Sequence, residues 1–353
     1  MIADQTGTSA PNGLAGLAGI QAAIQTINDA GGVAGHQIDM GSPIDSQSTV
    51  QGGQAAIRQA LDASPVAVTG SIVSTVLAAQ EPALKRASVA YVVDSVTSNA
   101  VKQPWYFGIQ LGVDENVKLV VAGVTNAVGG SISGKRVAVE GLNSTVGAEI
   151  VTALKQDLVK RGAEIVATEL TASASVGTFT SQAQNIVSSK PDIVVEFDSP
   201  NNTILVAKAL ATAGYQGPIV GSVAANSLDV FKGINSSKFI APFAFHDPSS
   251  SQLLTEAAKK YGFTKYQNSP YFSAGYAMGY TLKAGLEKCG FPCSSEKLES
   301  TLRSQGEISV PAGLAFGPIK FEPGNGVGLT AGQFYGWDSA KQATSMIGPV
   351  VQL

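Results

Sequence analysis

Hydroxyl side chains, more than acids, bases or thiols, are the reactive groups that cluster in this sequence. Gly70-Ser71-Ile72-Val73-Ser74-Thr75 follows one short apolar run, and Asp94-Ser95-Val96-Thr97-Ser98 follows the next. In an open α/β sheet, ligands bind outside the carboxyl ends of the strands. A helix that starts there offers unpaired N–H groups and the positive end of its dipole, and Ser and Thr add neutral donors. The combination suits an anion such as a carboxylate, held without lysine or arginine. One such turn is an ordinary helix cap; repetition on consecutive strands is what points to a ligand.

Catalytic patterns are missing around these turns. The chain has no G-x-x-x-x-G-K-[ST] phosphate loop and no G-x-S-x-G elbow, and Gly13, Gly16 and Gly19 have the wrong spacing for a dinucleotide fingerprint. Ser294-Ser295-Glu296-Lys297 matches S-x-x-K by letter but reads better as a helix N-cap. His36 lies in a turn before a strand and reads as a surface residue. His246, in Phe245-His246-Asp247-Pro248, has no sequence partner that would make it a general base. With two histidines and two cysteines in 353 residues, there is almost no material for a zinc site. Cys289 and Cys293 flank Gly290-Phe291-Pro292, a spacing unlike the C-x-x-C redox motif. A small-loop disulfide formed in an oxidising compartment is the preferred reading, with two free thiols as the alternative.

Composition narrows the classes further. Lys+Arg 23 against Asp+Glu 26 gives a net charge of −3, which argues against a nucleic-acid binder with a broad basic face. No apolar run approaches the roughly 18 residues of a membrane span. The chain opens without a signal-peptide pattern, as expected of either a cytoplasmic protein or a mature or trimmed form; Met1-Ile2-Ala3, which reads as the tail of a buried strand, favours trimming.

The elements that must position the hydroxyl turns alternate regularly. Residues 66–70, 89–93, 136–139, 193–197 and 218–221 are short, apolar and rich in β-branched residues, as strands buried on both faces should be. Between them, Leu17, Ile20, Ile24 and Ile27 have helical spacing, as do Ile150, Leu154 and Leu158. Further helices are expected over 203–213, 252–261, 271–288 and 295–303. About five strands precede Asp114 and about five more lie between Lys135 and Phe243. Strand–helix alternation on this scale predicts an α/β protein of two doubly wound parallel-sheet lobes. The tail changes rhythm: 319–321 and 333–337 read as strands, the second leading into a hairpin turn at 337–341.

At these residues the sequence resembles the type I periplasmic solute-binding proteins of ABC importers, in the branched-chain amino-acid-binding group. Asn28-Asp29-Ala30-Gly31-Gly32-Val33-Ala34-Gly35 is similar to that group's N-x-x-G-G-x-x-G turn. Asp45-Ser46-Gln47-Ser48 resembles its D-x-x-S loop. The stretch 173–184 resembles its T-D-F segment, with Thr178 followed directly by Phe179, and 316–321 resembles its terminal G-x-x-x-F.

The resemblance implies hinge closure of two lobes on a small ligand. The crossings are expected near 109–115, 242–247 and 321–326, so that lobe 1 is 1–112 with 246–321 and lobe 2 is 113–245 with 322–353. It also implies that Ser74, Ser95 and Thr97 hold a ligand carboxylate, with the Thr75 amide nearby and Gln5 at the same site. In the second lobe, Val146 stands where amino-acid binders commonly place a tyrosine. Val223 falls in a stretch that commonly carries an acid for the ligand ammonium. Either the ligand lacks an amino group or Asp198 replaces that acid; Asp198 also reads as a helix cap. Phe245 and His246 lie at an expected crossing.

The implied protein is a monomer without cofactor, working outside the cytoplasm, lipid-tethered in many relatives, and partnered by importer permease subunits. Two other functions remain open on sequence grounds: a ligand-sensing receptor domain and a small-molecule enzyme on a doubly wound scaffold. A sugar-binding repressor core shares the fold but should begin with a helix-turn-helix, and this chain does not.

Overall fold

The computed structural model describes residues 1–7, 9–171, 177–246, 251–311 and 313–353. Ser173–Val176 of the T-D-F-like stretch, and Asp247 at the second expected crossing, lie outside the described residues. The chain divides into two compact units, Met1–Gly112 with Phe245–Thr330, and Val113–Ala244 with Ala331–Leu353. Both are α/β, and the parallel strands and doubly wound order match the sequence expectation.

Unit 1 begins with β1 (Ile2–Ala3), α1 (Ala10–Asp29), β2 (Ile44–Asp45), α2 (Val50–Asp62), β3 (Ala67–Thr69), α3 (Ser74–Ala87), β4 (Ala90–Val93) and β5 (Tyr106–Gly108). Parallel pairing joins β1 to β2 and runs β3-β4-β5, and an Ile2–Gly70 bridge links the two sets. The sheet order is therefore β2-β1-β3-β4-β5. Every residue of β4 is fully buried, which explains its unbroken apolar run.

Unit 2 continues with α4 (Val113–Ala127), β6 (Arg136–Leu142), α5 (Thr145–Lys160), β7 (Glu164–Thr171), α6 (Thr180–Ser188), β8 (Ile193–Phe197), α7 (Pro200–Thr212), β9 (Ile219–Val220), α8 (Leu228–Ile234) and β10 (Phe239–Phe243). The chain then returns to unit 1 for α9 (Gln252–Lys260), α10 (Pro270–Cys289), α11 (Ser295–Ser304), β11 (Glu307–Ile308) and β12 (Ile319–Lys320). It ends in unit 2 with β13 (Ala331–Asp338) and β14 (Ala343–Gln352). The unit 2 sheet runs β14-β13-β10-β9-β8-β6-β7, parallel from β7 to β10 and antiparallel at the closing hairpin.

In unit 1, α10 packs along α1 with almost no space between the backbones. A Cβ on Gly19 would stand 2.2 Å from the Phe272 carbonyl oxygen, and one on Gly275 would stand 2.1 Å from that of Gly16. The glycines of both helices are therefore contact residues.

Residues 322–330 stay with unit 1, so the last crossing falls at Thr330–Ala331, later than the expected 321–326. The reason is hydrogen bonding: the Gly328 amide donates to the Gly108 carbonyl, the Gly326 amide to that of Val101, and Arg303 holds the Asn325 carbonyl. The 245–246 region likewise belongs to unit 1, where Phe245 bridges Ala315 and the His246 amide donates to Leu314.

Candidate functional site

In unit 1 the strand order reverses direction between β1 and β3, because β1 leads to β2 on one side and β2 leads back to β3 on the other. Such a switch point opens a crevice beyond the strand ends. Its floor is pinned by Asp4, which is fully buried at the end of β1. One oxygen of Asp4 accepts from the Ser46 hydroxyl at 2.5 Å, the other from the Ile72 amide at 3.0 Å. Burial raises the Asp4 carboxyl against these two bonds. Gln5 follows, its amide donating to Asp45 at 2.9 Å, so the D-x-x-S loop and the β1 end form one unit.

Across the crevice stands the start of α3. Its N-cap position is Val73, which contributes no side-chain acceptor. Five helices, α2, α5, α8, α9 and α11, are capped by the side chain of a Thr or Ser, whereas α1, α6, α7 and α10, like α3, show no side-chain cap bond. The first amides of α3, at Ser74 and Thr75, are thus left to an outside acceptor. Ser74 is half-buried and Thr75 exposed.

One strand further out, Asp94 and Ser95 follow the end of β4. Ser95 is fully buried; its carbonyl accepts from the Tyr106 hydroxyl at 2.8 Å, and its own hydroxyl has no partner among the described residues. The Thr97 hydroxyl is already engaged, donating to Glu81 of α3 at 2.6 Å and accepting from the Ala100 amide at 2.9 Å. Lys85 and Arg86, the cations of α3, are exposed in its last turn. They stand about 16 Å from its start at 1.5 Å per residue.

Unit 2 repeats the plan. Its switch point lies between β6 and β8. Val146 is half-buried in the first turn of α5, next to Gly147, where a Cβ would stand 2.4 Å from the Leu142 carbonyl oxygen. Asp198 follows β8 and is 4 % exposed. It accepts from the Ser199 amide and the Asn202 side chain on one oxygen and from the Thr171 hydroxyl on the other. Asp198 therefore ties the ends of β7 and β8 to the start of α7. Val223 is half-buried in the short turn after β9.

Below Asp198 lies a row of acids that the sequence reading passed over. Glu140 on β6 is directly opposite Glu196 on β8 and Glu169 on β7, so all three share one sheet face. Glu140 and Glu196 are fully buried. Glu196 accepts from Thr203 of α7 and from the Asp198 amide, whereas neither Glu140 oxygen reaches a donor at hydrogen-bond distance. Among the described residues, no ion pair involves either, and Lys208 and Lys232 of the helices on that face are exposed. Burial, reinforced by the neighbouring carboxyls, pushes Glu140 up strongly; burial also pushes Glu196 up, to about 8. The signal was present in the sequence: each glutamate interrupts an otherwise apolar strand.

The remaining candidates sit apart from these turns. Phe245 is 2 % exposed and packs in unit 1; the His246 ring lies 4.2 Å from that of Phe316, and burial lowers its pKa. Cys289 and Cys293 form a disulfide with their Cα atoms 5.7 Å apart, and His36 stacks on Phe291 within that loop. A cavity of about 340 Å³ beside this loop opens at the strand starts of unit 1, lined by Ile24, Ile38, Ala67 and Phe291, at the opposite end of the sheet from Ser74 and Ser95. Among the described residues, no His, Cys, Asp and Glu group has metal-holding geometry, and no helix is long and apolar enough to cross a membrane.

Comparison with known proteins gives this architecture a family. Residues 1–342 match the periplasmic binding protein family. The chain belongs to that family. Proteins of the family are binding proteins that work outside the cytoplasm, which agrees with two doubly wound units whose strand ends carry hydroxyls, amides and buried acids. The fold of this periplasmic binding protein is shared by several solved structures. A branched-chain amino acid ABC transporter protein from Thermus thermophilus with bound valine superposes with a TM-score of 0.85, at 14 % identity over 99 % of this chain and 94 % of that one. A solute-binding protein from R. palustris in complex with benzoate gives 0.80, at 17 % identity over 99 % and 96 %. A fatty acid ABC transporter substrate-binding protein from Thermomonospora curvata gives 0.78, at 19 % identity over 100 % and 91 %. Among curated protein sequences, none matches this chain.

Proposed function

We propose that this periplasmic binding protein captures a small carboxylate-bearing solute outside the cytoplasm and delivers it, unmodified, to the permease of an ABC importer. It acts as a monomer, without cofactor or turnover. The observation that carries the reading is the open start of α3. Val73 leaves the first helix amides without a side-chain cap, Ser74, Thr75 and Ser95 add donors, and the cations of α3, Lys85 and Arg86, lie in its last turn. A carboxylate is the acceptor that suits unpaired amides and a positive dipole end. The ligands of structurally similar proteins are of that class: valine in one, benzoate in another.

The test is a melting-temperature screen over amino acids and organic acids, since binding to the native state alone raises its stability. A carboxylate is expected to give the largest shift. Ser74→Ala should then weaken that ligand by roughly 1–3 kcal/mol, the scale of a lost hydrogen bond to a charged group, without changing the melting temperature of the free protein. Stabilisation by neutral sugars alone, or an unchanged affinity in the variant, would remove the assignment.

A further inference from the structure

The cavity at the strand starts lies wholly within unit 1 and holds about 340 Å³. Local sequence explains why the space exists. On α1, Ile20 and Ile24 line it, and on α10, Leu282 and Leu286; each pair is four residues apart and so shares one helix face. On β3, Ala67 and Thr69 line it, two residues apart and so on one sheet face. Val68, between them, belongs to the core on the other face with Ile57 and Leu77. Ala67 is too short to fill the gap between strand and helices.

Two constrained turns stand at the mouth. Phe291 is held between Cys289 and Cys293, which the disulfide joins. His36 is held by Val33, amide to carbonyl in both directions, at 2.8 and 2.9 Å. The two rings stack with centroids 3.8 Å apart. Phe291 is still 71 % exposed, so the rigid loop presents an aromatic surface that a flat ring can join. Polar groups are few. No lysine or arginine lines the cavity, and its one acid, Asp39, is exposed and accepts from the Gly41 amide at 2.9 Å. Deeper in, the buried Thr69 hydroxyl is bonded to the Met278 thioether at 3.8 Å, a weak acceptor that a better partner would replace.

We propose that this cavity is a second ligand site, which takes one small, uncharged aromatic molecule of about two rings carrying a hydroxyl or carbonyl. Size sets the ring number: a dry apolar cavity of about 150 Å³ takes one benzene, and this one is somewhat more than twice as large. The aliphatic pairs of α1 and α10 cover the flat faces, Phe291 stacks at the outer end, and Thr69 bonds the polar atom. With no lysine or arginine to neutralise it, an anion is excluded. The site therefore differs in chemistry from the carboxylate crevice at the other end of the sheet and does not rest on that reading.

The experiment is calorimetric titration of the full chain with 2-naphthol, a neutral two-ring alcohol, alone and in the presence of 2-naphthoate, its anionic counterpart. One 2-naphthol is expected per chain, at about 0.1 mM or tighter, and 2-naphthoate should not displace it. Ala67→Leu, which fills the space, should lower the 2-naphthol affinity by about tenfold or more. Phe291→Ala, at an exposed position, should lower it by about fivefold, and Thr69→Val, which keeps the side-chain shape, by about threefold. Ser74→Ala should leave it unchanged. Absence of 2-naphthol binding overturns the proposal, as does an affinity that neither Ala67→Leu nor Phe291→Ala alters. Weaker binding in Ser74→Ala, or displacement by 2-naphthoate, would put the molecule in the crevice or admit anions to the cavity. Either result overturns the proposal and leaves the carboxylate reading standing.

Discussion

Asp94 and Asp198 each follow a parallel strand in their own unit, β4 in one and β8 in the other. Both are nearly sealed from water. Asp198 is surrounded by donors from three segments: Thr171 at the end of β7, the Ser199 amide, and Asn202 in the first turn of α7. Asp94 has none. A strand-end acid is therefore not a ligand group by position alone; what decides is whether the fold has already supplied its donors. By that criterion Asp198 is a fastener, and Asp94 is not.

The sharpest way to break this contrast is to remove each acid and measure unfolding in urea. Asp198→Ala strands three donors and should lower stability by about 3 kcal/mol, within the range for lost bonds to a charged group. Asp94→Asn should change it by less than about 1 kcal/mol, as a substitution that breaks no native bond. Equal losses would erase the distinction.

The buried pair beneath Asp198 sharpens the same comparison. Glu140 and Glu196 hold protons in the folded state that the unfolded chain gives up above the ordinary glutamate value of 4.5. Stability is then full below that value and falls as pH rises toward 8, by up to about 1.4 kcal/mol per pH unit for each proton retained. Glu140→Gln, a neutral mimic of the protonated side chain, should flatten this fall and raise stability at pH 8 by about 2 kcal/mol. A variant as pH-sensitive as the wild type would show that the pair is ionised. A smaller effect than at Asp198 or Glu140 is expected at Thr97→Ala. Losing the Glu81 and Ala100 contacts should lower stability by about 1 kcal/mol, with affinity following only as far as the loop loosens, in thermal and binding measurements on one sample.

Much of this architecture is legible in the sequence because its strands are buried on both faces. Runs such as Ala90–Val93 and Ile193–Val195 have no solvent side to interrupt them, and glycine-rich stops mark the helix ends. The hydroxyl turns were visible for the same reason, each directly following a strand. The occupancy of those hydroxyls was not visible. Thr97 and Ser95 look alike in sequence, but the Thr97 hydroxyl bonds Glu81, sixteen residues away, and the Ser95 hydroxyl has no partner among the described residues. The Glu140–Glu196 pairing depends on β8 lying beside β6, with β7 placed on the far side, and a strand order of that kind is not written in local patterning. The last crossing was misplaced because residues 322–330 hold unit 1 through backbone bonds, which leave no signature in side-chain type.

The close seam between α1 and α10 has a consequence for how the protein is made. One helix is translated near the start of synthesis, the other some 240 residues later. Until α10 emerges, the apolar flank of α1 has no cover, and the first unit has no route to its finished state. The folding of unit 1 therefore waits on contacts of long sequence separation, which are the slow ones to form.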